Sequence, residues 1–131
     1  YEADGRQREG LNSLRGLVSF AVESGQLDSA CGYLKKIVAT DPSDVGAAVE
    51  LGQILASTEA WSDGLKVLQV ALLQQSRLSD QEKVTLFMSL GRCRLGLGER
   101  RKAKDMFSRV LGVAPDHELA IKALESLSES E

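Results

Sequence analysis

Seven positions of residues 11–44 recur at a spacing of 73: Leu14 with Phe87, Leu17 with Leu90, Gly25 with Gly98, Ala30 with Ala103, Leu34 with Phe107, Val38 with Leu111 and Pro42 with Pro115. A middle copy stands at an offset of 34, where Leu17 meets Leu51, Leu27 meets Trp61, Ala30 meets Gly64, Leu34 meets Leu68 and Val38 meets Leu72. The spacing of 73 is therefore two units of 34 with five residues added. A fixed period of this length marks a solenoid, in which each unit buries its apolar face only by stacking on its neighbours. It also narrows function, because such stacks present an extended surface suited to binding other proteins.

Each unit reads as two helices. Leu11, Leu14, Leu17, Val18 and Ala21 take the i, i+3, i+4, i+7 spacing of a buried helical stripe, and Gly25 ends it. A second stripe, Leu27, Ala30, Leu34, Ile37 and Val38, stops ahead of Asp41 and Pro42, because proline disfavours helix in the residue before it. Ser43 or Asp44 is placed to cap the next helix, whose stripe is Ala48, Leu51, Gly52 and Leu55. Its partner carries Trp61, Leu65, Leu68, Ala71 and Leu72.

The irregular stretch is 74–83, where Gln75, Ser76, Arg77 and Leu78 replace the proline-containing turn. Ser79 and Glu82 then have the spacing of a capping box, opening a helix with Val84, Phe87, Leu90, Gly91 and Leu95 that runs to Gly98. The partner helix runs from Glu99 through Ala103, Phe107 and Val110 to Val113, and a last stripe, Leu119, Ile121, Leu124 and Leu127, ends in the polar run 128–131.

The expectation is an all-α stack of three helical hairpins plus a C-terminal capping helix, about seven helices in all. Its units are an N-terminal extension at 1–10, repeats at 11–44 and 45–78, an inserted junction at 79–83, a third repeat at 84–117, and the cap with its polar tail at 118–131. The last helix reads equally as the first helix of a truncated fourth repeat. The five added residues predict an extended or displaced junction between the second and third hairpins, changing groove curvature there.

Glycine inside a helix costs about 1 kcal/mol against alanine, so those inside the stripes need a reason. Gly52 and Gly91 fall at equivalent places in the first helix of their repeats, and Ala30, Gly64 and Ala103 at equivalent places in the second. Close approach of the paired helices supplies the reason. Trp61 occupies the place of Leu27 and is expected to pack rather than to stack on a ligand; Met88 and Phe87 invite the same reading.

A helix-turn-helix unit of 34 residues with large, leucine and small residues in its first helix, alanine and an aromatic in its second, and a closing proline resembles the tetratricopeptide repeat. The third copy carries the resemblance best, through Phe87, Leu90, Gly91, Gly98, Ala103, Phe107 and Pro115; the first has Leu14, Leu17, Gly25, Ala30, Leu34 and Pro42. Departures are Val18 for the usual glycine, Arg94 and Arg100 for aromatics, and Ser76 for the closing proline. The pentatricopeptide family, with its slightly longer period and basic RNA-reading groove, fits less well.

The resemblance implies a right-handed superhelix whose concave face is lined by the first helix of each repeat. The lining is then Asn12, Arg15, Ser19 and Val22 in repeat one, Gly46, Val49, Gln53 and Ala56 in repeat two, Thr85, Met88, Arg92 and Leu95 in repeat three, and Lys122 in the end helix. Arg15, Arg92 and Lys122 are candidates to pair with carboxylates of an acidic or C-terminal peptide, and Val49, Met88 and Leu95 to hold its apolar side chains. Some family members clamp the C-terminal carboxylate of chaperones with lysines and asparagines. Here Ser19, Glu50 and Gln53 stand where that clamp would want asparagine, so a chaperone adaptor is not expected.

Other classes are disfavoured. No nucleophile with a base, paired acids in a pocket or phosphate-cradling loop is visible, and Gly91, Gly96 and Gly98 lack a following lysine-serine pair, so no enzyme and no cofactor is expected. Cys31, Cys93 and the sole histidine, His117, lack metal-ligand spacing, and the cysteines read as small buried apolar residues. A net charge of -3 argues against a general nucleic-acid binder, and no apolar run reaches the ~20 residues of a membrane span. The chain opens on Tyr1 rather than Met, as an excised domain or processed product would. A cytoplasmic location is favoured only because no secretory signal is seen.

Two alternatives to the groove remain. One is self-association through an exposed end of the stack, at Leu11 or at the last stripe. The other is the basic stretch Arg92, Arg94, Arg100, Arg101, Lys102, Lys104 and Arg109, in part on the convex side, as a surface for an acidic partner or anionic surface.

Overall fold

The computed structural model describes residues 2–129, with side chains from residue 8 onward. Its helices are α1 (Glu2–Glu23), α2 (Leu27–Thr40), α3 (Val45–Ser57), α4 (Trp61–Leu73), α5 (Asp80–Gly96), α6 (Arg100–Val113) and α7 (Glu118–Glu129), with a 3-10 turn at Gln75–Arg77. No strand occurs among the described residues. Consecutive helices pack as antiparallel hairpins, and α3 also packs on α5, the layering of a helical-repeat superhelix. Residues 2–10, set apart above as an extension, continue α1 without a break. Tyr1 and residues 130–131, the last of the polar tail, lie outside the described residues.

The turn inside each hairpin is the same motif three times. Gly25, Glu59 and Gly98, spaced 34 and 39, all have positive φ, at 75°, 64° and 80°. Each donates to a carbonyl three residues back, while the next amide reaches the carbonyl five back: Gln26 to Ala21 at 2.8 Å, Ala60 to Leu55 at 2.8 Å and Glu99 to Arg94 at 2.8 Å. These paired bonds satisfy carbonyls the ending helix would otherwise leave open.

The turns between hairpins also repeat. Asp44 caps α3 by accepting the Ala47 amide at 3.0 Å, and His117, at the same register, accepts the Ala120 amide through Nδ1 at 3.2 Å at the start of α7. The lone histidine is thus a helix cap. Between repeats two and three Leu78 takes this register instead, extended and buried, and Ser79 closes the expected capping box with Glu82, at 3.0 and 3.2 Å. The added residues form mostly helix: α5 has 17 residues where α3 has 13. One extra turn at its front, with the 3-10 turn before it, absorbs the insertion while α4 still packs on α5.

Packing follows the small-against-large code. A Cβ on Gly52 would collide with the Leu68 side chain, and one on Gly91 would stand 2.5 Å from the Phe107 ring. Ala30 and Ala103 are fully buried at the matching places in α2 and α6. Trp61 is half-buried against the main core, its indole where a side chain on Gly96 would stand, so it joins repeat two to repeat three. Cys31 and Cys93 are free and buried, and burial pushes both thiols up from the usual value.

Two readings of the stripes change. Leu17 is 44% exposed, whereas its equivalents Leu51 and Leu90 are each 2% exposed. The difference is positional, since α2 covers that residue in α3 and α4 covers it in α5, while no other described helix packs on it in α1. Val18, which stands in for a glycine, is the buried residue there. In α7, Leu119 points outward, and Ala120 and Leu127 make the buried face.

Candidate functional site

Two adjoining clefts run along the first helices of the repeats. One, of about 360 Å³, is lined by Arg15, Ser19, Asp44, Gly46, Glu50 and Glu82 above Val18, Leu34, Ile37 and Ala47. The other, of about 250 Å³, is lined by Val49, Gln53, Ser79, Gln81 and Thr85, and shares Gly46, Glu50 and Glu82 with the first. They form one polar groove wall built by α1, α3 and the extra turn of α5. The insertion supplies Ser79, Gln81 and Glu82 to that wall.

Gly46 lies where the Glu82 side chain of α5 reaches across to α3. The Glu82 carboxylate lies 2.7 Å from where a Cβ on Gly46 would stand, close to the first turn of α3, where a negative charge is favoured by the helix dipole. Asp44 uses both its oxygens: Oδ1 accepts the Ala47 amide, and Oδ2 accepts Arg15 Nη2. Glu50 lies in the same cleft, and partial desolvation, with the Asp44 carboxylate adding to it, raises its pKa against the opposing pull of Arg15. Three carboxylates therefore face one guanidinium. A second anion here meets net repulsion, and a cation meets attraction.

The residues expected in the groove divide accordingly. Arg15, Ser19, Gly46, Val49, Gln53 and Thr85 line the clefts, but Arg15 is already engaged by Asp44. Asn12, Val22, Arg92, Leu95 and Lys122 are exposed and outside these two clefts. Ala56 is buried in the core beside Gly64, leaving no surface for a ligand. Met88 is half-buried against Ala103, Phe107 and Leu127, so it packs repeat three onto the end helix. The groove positions expected from sequence lack Asp44, Gln81 and Glu82, and Glu50 entered only as a departure from the carboxylate clamp. Asp44 and Glu82 were visible only as helix caps, and their convergence requires the α1–α3 and α3–α5 contacts.

Much of the basic stretch is used within the chain. Arg94 binds Glu99 at 3.0 Å, and Lys102 binds the same carboxylate at 3.0 Å, which holds Glu99 below the usual carboxylate range, Lys102 first and Arg94 second. Arg100 donates to the Leu127 carbonyl at 3.4 Å, and the Arg109 guanidinium lies 6.0 Å from the centre of the Phe87 ring. These bonds tie α5, α6 and α7 together. No helix among the described residues is long and apolar enough to cross a membrane.

No family model and no curated protein matches the sequence. Solved structures match its fold along nearly its whole length. The tetratricopeptide-repeat domain of Arabidopsis OM64 superposes with a TM-score of 0.83 at 15% identity, covering 94% of this chain and 98% of that one. The first such domain of Spaghetti (RPAP3), bound to the HSP90 peptide SRMEEVD, gives 0.82 at 16% identity, covering 93% of each chain. The second such domain of human RPAP3, in complex with the HSP70 peptide SGPTIEEVD, gives 0.80 at 17% identity, covering 93% of this chain and 98% of that one. With hairpins, turns and small-against-large seams repeating along the chain and these neighbours agreeing over it, the protein has the tetratricopeptide-repeat fold.

Proposed function

We propose that the chain is a non-catalytic protein-interaction module that holds a peptide or protein segment along its concave groove. The observation that carries this reading is the continuous groove wall of α1, α3 and α5, polar along its rim and apolar at its floor. Two structural neighbours hold peptides ending in EEVD. In this chain Glu50 and Glu82 disfavour an acidic end beside Arg15. The exposed cations Arg92 and Lys122, which share the groove register, are the place for it. The segment that fits best carries positive or neutral polar residues over Asp44, Glu50 and Glu82, apolar residues near Val22 and Leu95, and negative charge toward α5 and α7.

Peptides selected by display on the folded chain test this. Glu50→Lys and the pair Arg92→Glu with Lys122→Glu should each weaken the selected peptides about tenfold or more, as loss of a charge contact does. Affinity unchanged in both variants would remove the groove from the account.

A further inference from the structure

Counting by offsets of 34 and 39, Arg15 of α1 corresponds to Val49 of α3 and Met88 of α5. Val49 is buried and Met88 half-buried, so an apolar side chain serves this register and the fold does not call for a guanidinium there. In repeat one the guanidinium crosses to the next repeat and donates through Nη2 to Asp44 Oδ2, with the arginine side chain 53% and the aspartate 14% exposed. The other Asp44 oxygen already accepts the Ala47 amide. Asp44 is thereby used up inside the chain. The remaining carboxylates of the cleft are not: Glu50, and Glu82 through Oε2, have no hydrogen-bond partner among the described residues, while Glu82 Oε1 is held by the Ser79 amide at 3.0 Å. Below them Val18, Leu34, Ile37 and Ala47 make an apolar floor. No acids among the described residues are grouped to hold a metal ion, so an organic cation suits them better. A lysine or arginine side chain combines the two parts needed, an apolar stem for the floor and a charged head for the rim.

Resting on the groove reading, we propose that Arg15 is the specificity-determining residue of this first cleft: by occupying Asp44 it restricts the cleft to one lysine or arginine side chain of the bound segment, seated at Glu50 and Glu82, and repels a second. Its role is then opposite in sign to the one expected from sequence, where it would attract the partner's carboxylates. Its charge reaches beyond Asp44, because at Glu50 it opposes the rise in pKa that burial first and Asp44 second produce. A like charge held inside a binding site lowers affinity for one class of partner and so sharpens the choice between partners.

The test uses a peptide selected by display on the folded chain that carries one basic residue and is weakened by Glu50→Lys. It is titrated by fluorescence anisotropy onto the parent, Arg15→Met and Arg15→Gln, beside a copy with its basic residue replaced by glutamine and a copy with a lysine added next to it. Methionine is what the fold itself uses at this register in repeat three, and thermal melts check that both variants fold as the parent does. Both variants should bind the singly basic peptide about threefold or more tighter, as loss of one exposed like charge allows. The gain should vanish for the glutamine copy and shrink in high salt, and the added lysine should help the variants but not the parent. Unchanged or weaker binding in either variant that melts like the parent overturns this inference alone, since Glu50→Lys still supports the groove. So does an equal gain for the glutamine copy, or an added lysine that helps parent and variants alike. Selected peptides that are all indifferent to Glu50→Lys, or that lack basic residues, overturn the cationic reading of the groove and this inference with it.

Discussion

Glu59 holds a φ of 64° where the equivalent turns have Gly25 and Gly98. Its Cβ crowds the backbone in that conformation, at a cost of roughly 1–2 kcal/mol, which glycine avoids at the expense of more entropy lost on folding. Its side chain is exposed and gives little back. Glu59→Gly is expected to stabilise the protein by about 0.5–1 kcal/mol in urea denaturation. Glu50 is the titratable counterpart. Burial first and Asp44 second raise its pKa, so the folded state holds that proton to higher pH than the unfolded chain does. Stability therefore falls as pH rises from the ordinary carboxylate pKa through the raised one, and stays lower above it. Glu50→Gln should be more stable than the parent at neutral pH, and melts taken at falling pH should converge once the carboxyl is protonated in both states. A difference that persists in acid would place the effect elsewhere.

At the scale of the element, helices and caps were legible because their causes are local: apolar spacing, Gly25, Gly98, Pro42, Pro115 and the Ser79–Glu82 box all act within one or two turns. What a helix presses against is set by its place in the stack. Hence Leu17 and Leu90 read alike in sequence and differ in burial, and Ala56 and Val22 share a register although one is buried and the other exposed. The groove was legible as a set of first-helix positions. Its charge was not, because Asp44, Glu50 and Glu82 meet only after three units are stacked. Leu90→Ala should cost about 2–5 kcal/mol, the range for a buried leucine, and Leu17→Ala about 1 kcal/mol or less. Gly91→Ala tests the hairpin seam. Its Cβ would meet the Phe107 ring, and overpacking of that kind costs about 1–3 kcal/mol. Equal losses for the two leucines in chemical denaturation would contradict the difference in their burial.

At the scale of the whole molecule, the five inserted residues change the binding face more than the stack. They lengthen α5 by a turn and bring Gln81 and Glu82 to the groove wall, and the seams on either side continue. The result is a polar groove along the first helices, with part of its wall supplied by the insertion. The groove is the central claim, and amide hydrogen exchange with and without a display-selected peptide tests it most directly. Slowed exchange in residues 46–53 and 81–85, with the outer helices α2, α4 and α6 unchanged, is the predicted result. Protection confined to those outer helices would contradict it.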